Sequence, residues 1–176
     1  MNIHRFLGTM VALLFLFPAC APAISKGMKD QVDKNLRFRE VFSNPDAFTG
    51  RVVMWGGVII EAKNQKEGTL LEVLQKPLDW VGQPQEGDES EGRFLALHEG
   101  FLDTALYAKG REITAAGEIR GKRVQPIGEV EYNYPLLSAR EIHLWPERVK
   151  ERVVPAPYWG YPWWWDYPYP HRYPRR

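Results

Sequence analysis

The sequence contains very little cysteine, no long hydrophobic run and almost no net charge. Cys20 is the only cysteine among 176 residues, so the chain can form neither an internal disulfide nor a zinc site built from several thiolates. The 23 Lys and Arg residues nearly balance the 22 Asp and Glu residues, so no nucleic-acid partner is predicted. The longest apolar run, from Phe6 to Phe17, is shorter than the roughly 20 residues that a membrane-spanning helix needs.

Sequence motifs for catalysis and metal binding are missing as well. The four histidines are scattered without paired spacing, so no metal or cofactor site is predicted. His98 and His143 are expected to be partly buried strand residues. The acidic cluster between Glu86 and Glu91 lacks the spacing of an EF-hand loop and is interpreted as a solvated turn. No nucleophile elbow surrounds any serine, and the sequence therefore predicts a protein that is not an enzyme.

The first twenty residues have the pattern of a bacterial export signal. Arg5 precedes the apolar run, whose length suits the core of a signal peptide. The string Phe17-Pro18-Ala19-Cys20 resembles the lipobox of bacterial lipoproteins, in which the cysteine receives a diacylglycerol and becomes the mature N-terminus. The alternative is ordinary cleavage after Ala23. Lipidation of Cys20 is the favoured prediction, because chance rarely places a chain's only cysteine at this position.

Lipidation would hold the mature protein on a membrane, since two or more acyl chains suffice for stable anchoring. Ala21 follows the cysteine, in place of the Asp that marks inner-membrane retention in many lipoproteins, so the outer membrane is the expected destination. The predicted organisation is a signal peptide over residues 1–19, a lipidated tether over 20–35 that is partly helical around Lys29–Lys34, a folded domain over 36–150, and a tail over 151–176.

The folded domain is predicted to be mainly β, with five strands and one short helix. The predicted strands are Arg51–Glu61, Thr69–Gln75, Arg93–His98, Glu112–Arg120 and Leu136–Trp145. Asn44-Pro45-Asp46 has the pattern of a helix start, and Gly56-Gly57 suggests a bulge or bend within the first strand. The short helix is placed at Asp103–Lys109, before Gly110. Three strands, a helix and two strands is the order of an OB-like five-stranded barrel; a β-sandwich is the alternative.

A basic patch is predicted between the fourth and fifth strands, at Arg120, Lys122 and Arg123. In an OB-like barrel this loop often borders the ligand-binding face, so the three side chains are candidate ligand contacts. Outside the cytoplasm, the expected ligands are anionic lipid headgroups or a glycan. The alternative is a solvated hairpin tip without a ligand.

The C-terminal tail is rich in aromatic residues and proline. Residues 155–176 contain four Trp, five Tyr and six Pro, which predicts an extended, disordered segment. Trp and Tyr favour bilayer interfaces, so Trp159, Trp163, Trp164 and Trp165 are candidate contacts to a membrane, a glycan or a protein partner. The alternative is a tail that folds back over the barrel.

Several strings between Cys20 and Trp145 resemble one protein family. They include Val53-Met54-Trp55-Gly56-Gly57, Leu71-Glu72-Val73, Gly92-Arg93-Phe94, Tyr134-Pro135 and His143-Leu144-Trp145. Together with Cys20 they resemble the Slp family, the starvation-inducible outer-membrane lipoproteins of Gram-negative bacteria. The resemblance implies outer-membrane attachment and no established enzymatic activity. The expected function is a structural or interaction role in the cell envelope under stress, and the alternative is a glycan- or lipid-binding module.

Overall fold

The computed structural model describes residues 22–148 and consists mainly of five long strands. Three short helices precede the strands: α1 (Lys26–Lys29), α2 (Phe38–Ser43) and a 3-10 helix (Pro45–Phe48). The strands are β1 (Val52–Gln65), β2 (Gly68–Lys76), β3 (Arg93–His98), β4 (Glu112–Ile127) and β5 (Val130–Leu144). The predicted third strand is confirmed at both ends. Strands β1, β2 and β4 end further along the chain than predicted, whereas β5 begins at Val130 and ends at Leu144, both earlier than predicted.

The five strands close into a barrel in the order β1-β2-β3-β5-β4. Strands β3 and β5 are parallel, and the other neighbouring pairs are antiparallel. This is the arrangement of an OB-type barrel, so the predicted fold class is confirmed.

The barrel interior is filled by the alternating apolar residues of its strands. Val53 and Trp55 of β1, Phe94 of β3 and Ile113 of β4 belong to one buried cluster. Helix α2 contributes Phe38 to the same cluster, with its ring centroid 4.9 Å from that of Trp55. The helix thus packs against the interior of the barrel and completes the core.

The predicted helix at Asp103–Lys109 is wrong, because this segment forms only a turn. The Asp103 carbonyl oxygen accepts hydrogen bonds from Leu106 and Tyr107, and its carboxylate accepts one from the Ala105 amide. An Asx turn of this kind competes with helix formation, and the segment is too short to add a second turn before Gly110. Every helix within residues 22–148 therefore precedes β1.

The strands β4 and β5 extend well past the predicted limits and form a hairpin arm. Their pairing continues from Lys122↔Pro135 to Ile127↔Val130, across a tight turn in which Gly128 has φ +61°. Lys122–Pro135 is called the arm below. Gly121, just past the predicted end of the fourth strand, lies at an irregularity in the ladder, and the strand continues beyond it.

The predicted bulge at Gly56-Gly57 is also misplaced. The register shift in β1 lies between Ile59 and Glu61. The two glycines serve a different purpose, since a Cβ on Gly57 would overlap the Leu74 carbonyl oxygen and one on Gly56 would overlap the Leu78 side chain. They allow the neighbouring strand and loop to approach the backbone of β1 closely.

The segment predicted to be a tether packs against the barrel from Ile24 onward. Ile24 and Met28 are buried in a cluster with Ala116, on the outer side of β4. The Ser25 amide and hydroxyl donate hydrogen bonds of 2.8 and 2.6 Å to the Glu141 carboxylate of β5. The helix occupies Lys26–Lys29, earlier than predicted, because its apolar residues face the sheet.

Candidate functional site

The three residues of the predicted basic patch lie within β4 and not in a loop between strands. This part of the prediction is wrong, because β4 continues to Ile127. Arg120 lies 3.5 Å from a Glu118 oxygen, Lys122 lies 3.3 Å from one of Asp46, and Arg123 lies 4.0 Å from one of Glu67. These are surface ion pairs of modest energy. A ligand contact by Arg120, Lys122 or Arg123 stays a prediction.

The face that OB-type barrels commonly use for ligands is covered here by the arm. That face is the outer side of the second and third strands. In this protein it carries Leu70 and Leu95, which are 5% and 1% exposed and form a second buried cluster with Tyr134 of the arm. Leu97, Ile127, Tyr132 and Leu136 pack around this cluster. An oligonucleotide or oligosaccharide could reach this face only if the arm were displaced.

A polar network secures the arm to β2 and β3. The Arg93 guanidinium and the Tyr134 hydroxyl both donate to one Glu72 carboxylate oxygen, at 2.8 and 3.0 Å. The Arg93 amide donates to the Tyr132 hydroxyl at 3.0 Å. Burial, and then the hydrogen bond to Glu72, raise the pKa of Tyr134 to about 12, while the bond to Glu72 raises the pKa of Arg93. A phenol with so high a pKa is a poor proton donor for catalysis, so the network is best suited to fixing the arm.

The network predicts a stability loss in alkali. Because the folded pKa of Tyr134 is about 12 against an ordinary value of 10, its contribution is present below pH 10 and is lost as the pH rises through 12. The full loss amounts to about 3 kcal/mol. Tyr134→Phe should be less stable than the parent protein at pH 8, and the difference should shrink toward pH 12. Urea unfolding at several pH values measures this.

Tyr107→Phe is the matched control for this prediction. Tyr107 packs against the main core and takes no part in the network at Glu72, so this variant should follow the parent protein across the whole pH range. Parallel stability curves for the parent and Tyr134→Phe would contradict the assignment of the alkaline loss to Tyr134.

Trp80 stands at the tip of a rigid turn and is 94% exposed. The Asp79 carboxylate accepts hydrogen bonds of 2.8–2.9 Å from the amides of Val81, Gly82 and Gln83. An isolated bridge between Leu78 and Pro84 closes the base of the turn. Residues 78–84 are called the Trp80 turn below.

The Trp80 turn is fastened to β4 by buried hydrogen bonds. The Thr114 hydroxyl donates to the Gly82 carbonyl oxygen at 2.6 Å and accepts a bond of 2.9 Å from the Trp145 indole N–H. Thr114 is fully buried, so these bonds are shielded from water. No motif in the sequence predicted a role for Trp80, although the Asx-turn pattern from Asp79 to Gly82 carries this large aromatic residue at its tip.

Helix α1, the Trp80 turn and the last described residues lie side by side on one outer face of the barrel. Successive outward pairs of the β1–β4 ladder are Met54↔Ala116, Gly56↔Thr114 and Val58↔Glu112. Helix α1 covers the first pair and the Trp80 turn covers the second. Arg148 contacts Glu112 of the third pair, with its Nε 3.0 Å from the carboxylate. This surface is called the β1–β4 outer face.

Two grooves border the Trp80 turn. The first, of about 710 Å³, lies between residues 32–38, the start of β1 and the loop that follows β2. The second, of about 730 Å³, is lined by residues 85–88, 110–112 and 146–148. Lys76 lines both grooves, and its buried ammonium donates to the Gly87 carbonyl oxygen.

The histidines and acidic residues are placed as the sequence predicts. His98 and His143 are both half-buried residues of strands, and they lie on β3 and β5. The His98 Nδ1 is 3.2 Å from the Ala139 carbonyl oxygen, and the His143 ring packs edge-on against Trp145. Residues 86–91 are exposed. In the range 22–148 no three His, Cys, Asp or Glu side chains converge in a way that could hold a metal ion.

The other predicted site residues fall outside the described range. Cys20 precedes it, and Trp159, Trp163, Trp164 and Trp165 follow it, so their roles stay predictions. Among residues 22–148, no helix has the length and apolar character needed to cross a membrane.

Comparison with known proteins gives clear relatives. The sequence model of the Outer membrane lipoprotein Slp family matches residues 17–170, which includes the lipobox-like string and most of the aromatic tail. Outer membrane protein Slp of Escherichia coli (strain K12) is 33% identical over 138 residues, 77% of this chain and 72% of that protein. Lipoprotein YeaY of the same organism is 30% identical over 172 residues, 95% of this chain and 86% of that protein.

Among solved structures, a small single-stranded DNA-binding protein from Streptomyces coelicolor aligns with 54% of this chain and 94% of its own. Its sequence identity is 12% and its TM-score is 0.33, values too low to bear on ligand or function.

The barrel and these relatives define a small β-barrel lipoprotein of the bacterial outer membrane. The chain belongs to the Slp family. The family match extends past Trp145, where the resemblance noted in the sequence ended, so the aromatic tail is largely within the family's length. The family is one of outer-membrane lipoproteins and is not an enzyme family.

Proposed function

We propose that the protein is anchored through a lipidated Cys20 and acts as a non-catalytic interaction module of the cell envelope. The observation that carries the proposal is the burial of Ile24 against the barrel. Only residues 21–23 separate Cys20 from this buried residue. At 3.3–3.6 Å per residue, an extended chain spans about 14 Å from Cys20 to Ile24. A lipid on Cys20 would therefore hold the barrel close to the bilayer, where it can contact neighbouring envelope components.

The surroundings of the polar side chains favour interaction over catalysis. The Glu72, Arg93 and Tyr134 side chains bond to one another and connect the arm to β2 and β3. Catalytic groups must instead reach a substrate in an open site. A link to starvation or other envelope stress is implied by the family resemblance alone.

Glycan or lipid binding is the second candidate function, and the first groove favours it. Its lining combines aliphatic Leu36 and Leu78 with the charged Lys34, Arg37 and Glu91. Such a mixture of apolar surface and a few charged groups suits an amphipathic ligand, such as a lipid headgroup with its first methylenes or a sugar ring. A binding module should retain defined saccharides or lipids in a pull-down assay, whereas a purely structural protein should not.

Deleting residues 155–176 tests whether the aromatic tail takes part in the interaction. In an unlipidated Cys20→Ser background, the deletion should weaken association with phospholipid vesicles or peptidoglycan several-fold, because it removes nine Trp and Tyr side chains. The thermal melting temperature should stay unchanged. Sedimentation with vesicles or peptidoglycan and thermal melting give the two readouts.

Removing only the last two residues, Arg175 and Arg176, is the control for the deletion, since it keeps every aromatic side chain. A lowered melting temperature with unchanged association would mean that the tail packs on the barrel instead.

A further inference from the structure

We propose that the β1–β4 outer face lies on the phospholipid bilayer, with the Trp80 side chain inserted into the headgroup region. The inference rests on the proposed anchor at Cys20 and goes beyond it by naming the face and the residue that contact lipid.

The segment that follows Cys20 is fixed to one side of the barrel. Ile24 and Met28 are buried against Ala116, with Val52 and Met54 packed around them. Helix α1 is thereby fixed to the β1–β4 outer face, and its N-cap residue Ser25 is bound to Glu141. Because Cys20 is at most about 14 Å from Ile24, a lipid there can enter the bilayer only near this face. The opposite side of the barrel would have to point away from the membrane.

The Trp80 turn lies next to helix α1 on the β1–β4 outer face. Helix α1 covers the pair Met54↔Ala116, and the Trp80 turn covers the next outward pair, Gly56↔Thr114. Two residues along a strand correspond to about 7 Å. The base of the Trp80 turn thus covers the strand pair next to the one that helix α1 covers. Since a bilayer reached by the lipid would also be within reach of the turn, Trp80 is suitably placed to contact it.

The chemistry of the Trp80 turn suits a membrane interface. An indole that is 94% exposed presents a large apolar surface, with a polar N–H at its edge, to any partner that meets this face. Tryptophan is enriched at membrane interfaces, where its ring meets apolar groups and its N–H meets water or headgroups. The turn is already rigid through Asp79 and Thr114, so little conformational entropy is lost on insertion.

The charge of the anchored segment is compatible with the same partner. Residues 22–39 contain five basic side chains, Lys26, Lys29, Lys34, Arg37 and Arg39, against Asp30 and Asp33. Asp33 is paired with Arg51, which leaves an excess of positive charge beside the anchor. Basic residues next to a lipid anchor add attraction to anionic phospholipids. Arg148, which precedes the aromatic tail in the sequence, contacts Glu112 on the same outer face.

A dye attached at position 80 tests the proposal in the lipidated protein. Trp80→Cys introduces one thiol, and a lipidated Cys20 cannot react because its sulfur is already a thioether. We expect an environment-sensitive dye at position 80 to become several-fold brighter in vesicles of phosphatidylethanolamine and phosphatidylglycerol, and to be quenched by brominated lipid chains. Phe101→Cys is the matched control, because Phe101 is 78% exposed and lies beside the β1–β2 turn at the far end of β1. Its dye should show neither change.

The outcomes separate this inference from the anchor on which it rests. Two dyes per chain, or an intact mass of residues 24–176 without lipid, would show that no lipid is carried at Cys20, and both proposals would then be overturned. One dye per chain on a protein that has the lipidated mass, with position 80 as exposed to water as position 101, would overturn the membrane-facing assignment and leave the anchor standing. Quenching at position 80 alone would support it. Since Trp80 is on the surface, its replacement should not disturb folding.

Discussion

Replacing Cys20 with serine should move the protein from the membrane fraction to the soluble fraction of the cell envelope. A serine hydroxyl is not the thiol that receives diacylglycerol, so the mature chain would lose all its acyl chains. Each methylene buried in the bilayer contributes about 0.8 kcal/mol to the free energy of membrane binding. Losing the acyl chains should therefore lower the ratio of membrane-bound to free protein by at least about 100-fold. Fractionation of whole cells followed by immunoblotting measures the change.

The stability of the folded domain should not change with this substitution. The barrel, its core and the contacts of Ile24 all lie after Cys20 in the chain, within residues 22–148. Thermal unfolding of the Cys20→Ser protein should therefore match that of the parent protein in detergent. Ala21→Ser is the matched control, because it makes a similar change one residue later and keeps the thiol.

The intact mass of the mature parent protein decides between the two modes of processing. A mass of residues 20–176 plus a diacylglycerol and a third acyl chain is expected. A mass of residues 24–176 without lipid would contradict the anchor and would indicate cleavage after Ala23. In that case the membrane association of this protein would have to depend on parts of the chain other than Cys20.

The barrel strands could be predicted because alternation of apolar residues is a local signal. Ile113, Ala115 and Ile119 alternate with polar residues in the sequence of the fourth strand, and all three are buried in the core. The third strand is bounded on one side by Gly92, which needs a positive φ of 137°, and such a boundary is visible in the sequence. Local signals therefore gave the strand order, and the order gave the barrel.

The arm could not be predicted from the same signals. Burial alternates along the arm, but the residue types do not follow it: the polar Arg123 and Gln125 lie on the half-buried side, while the apolar Val124 lies on the exposed side. Gly121 and Pro126 are strand breakers by propensity. Pairing across a tight turn outweighed them, since each residue of the arm gains a partner in the antiparallel ladder.

The candidate site likewise combines a part that the sequence predicts with a part that it does not. Cys20 is recognisable from the residues beside it, whereas the β1–β4 outer face combines residues from α1, the Trp80 turn, β4 and the chain around Arg148. Their proximity depends on the closure of β1 against β4, which is a tertiary contact. A sequence can identify an exposed-turn pattern at Asp79 and Trp80, but it cannot show which other segments lie next to that turn.

Gly117→Ala should be strongly destabilising. Gly117 pairs with Val53 on one side and with Ala139 on the other, and a Cβ at this position would overlap the Ser138 carbonyl oxygen. The obstacle is backbone held between two strands of a closed barrel, so it cannot rotate away as a side chain could. We expect a loss of at least about 3 kcal/mol, at the upper end for overpacked interiors. This corresponds to a fall in melting temperature of roughly 10 °C.

Gly27→Ala is the control that separates this steric effect from a general effect of replacing glycine. No atom lies within 4 Å of the Cβ that Gly27 would acquire, and its backbone is helical. Alanine favours a helix by up to about 1 kcal/mol over glycine, so this variant should be as stable as the parent or slightly more stable. Urea unfolding monitored by circular dichroism measures both variants. Equal midpoints for the two would mean that β5 can move away from β4 at Ser138 without cost, and the barrel would then be less tightly closed than its ladder implies.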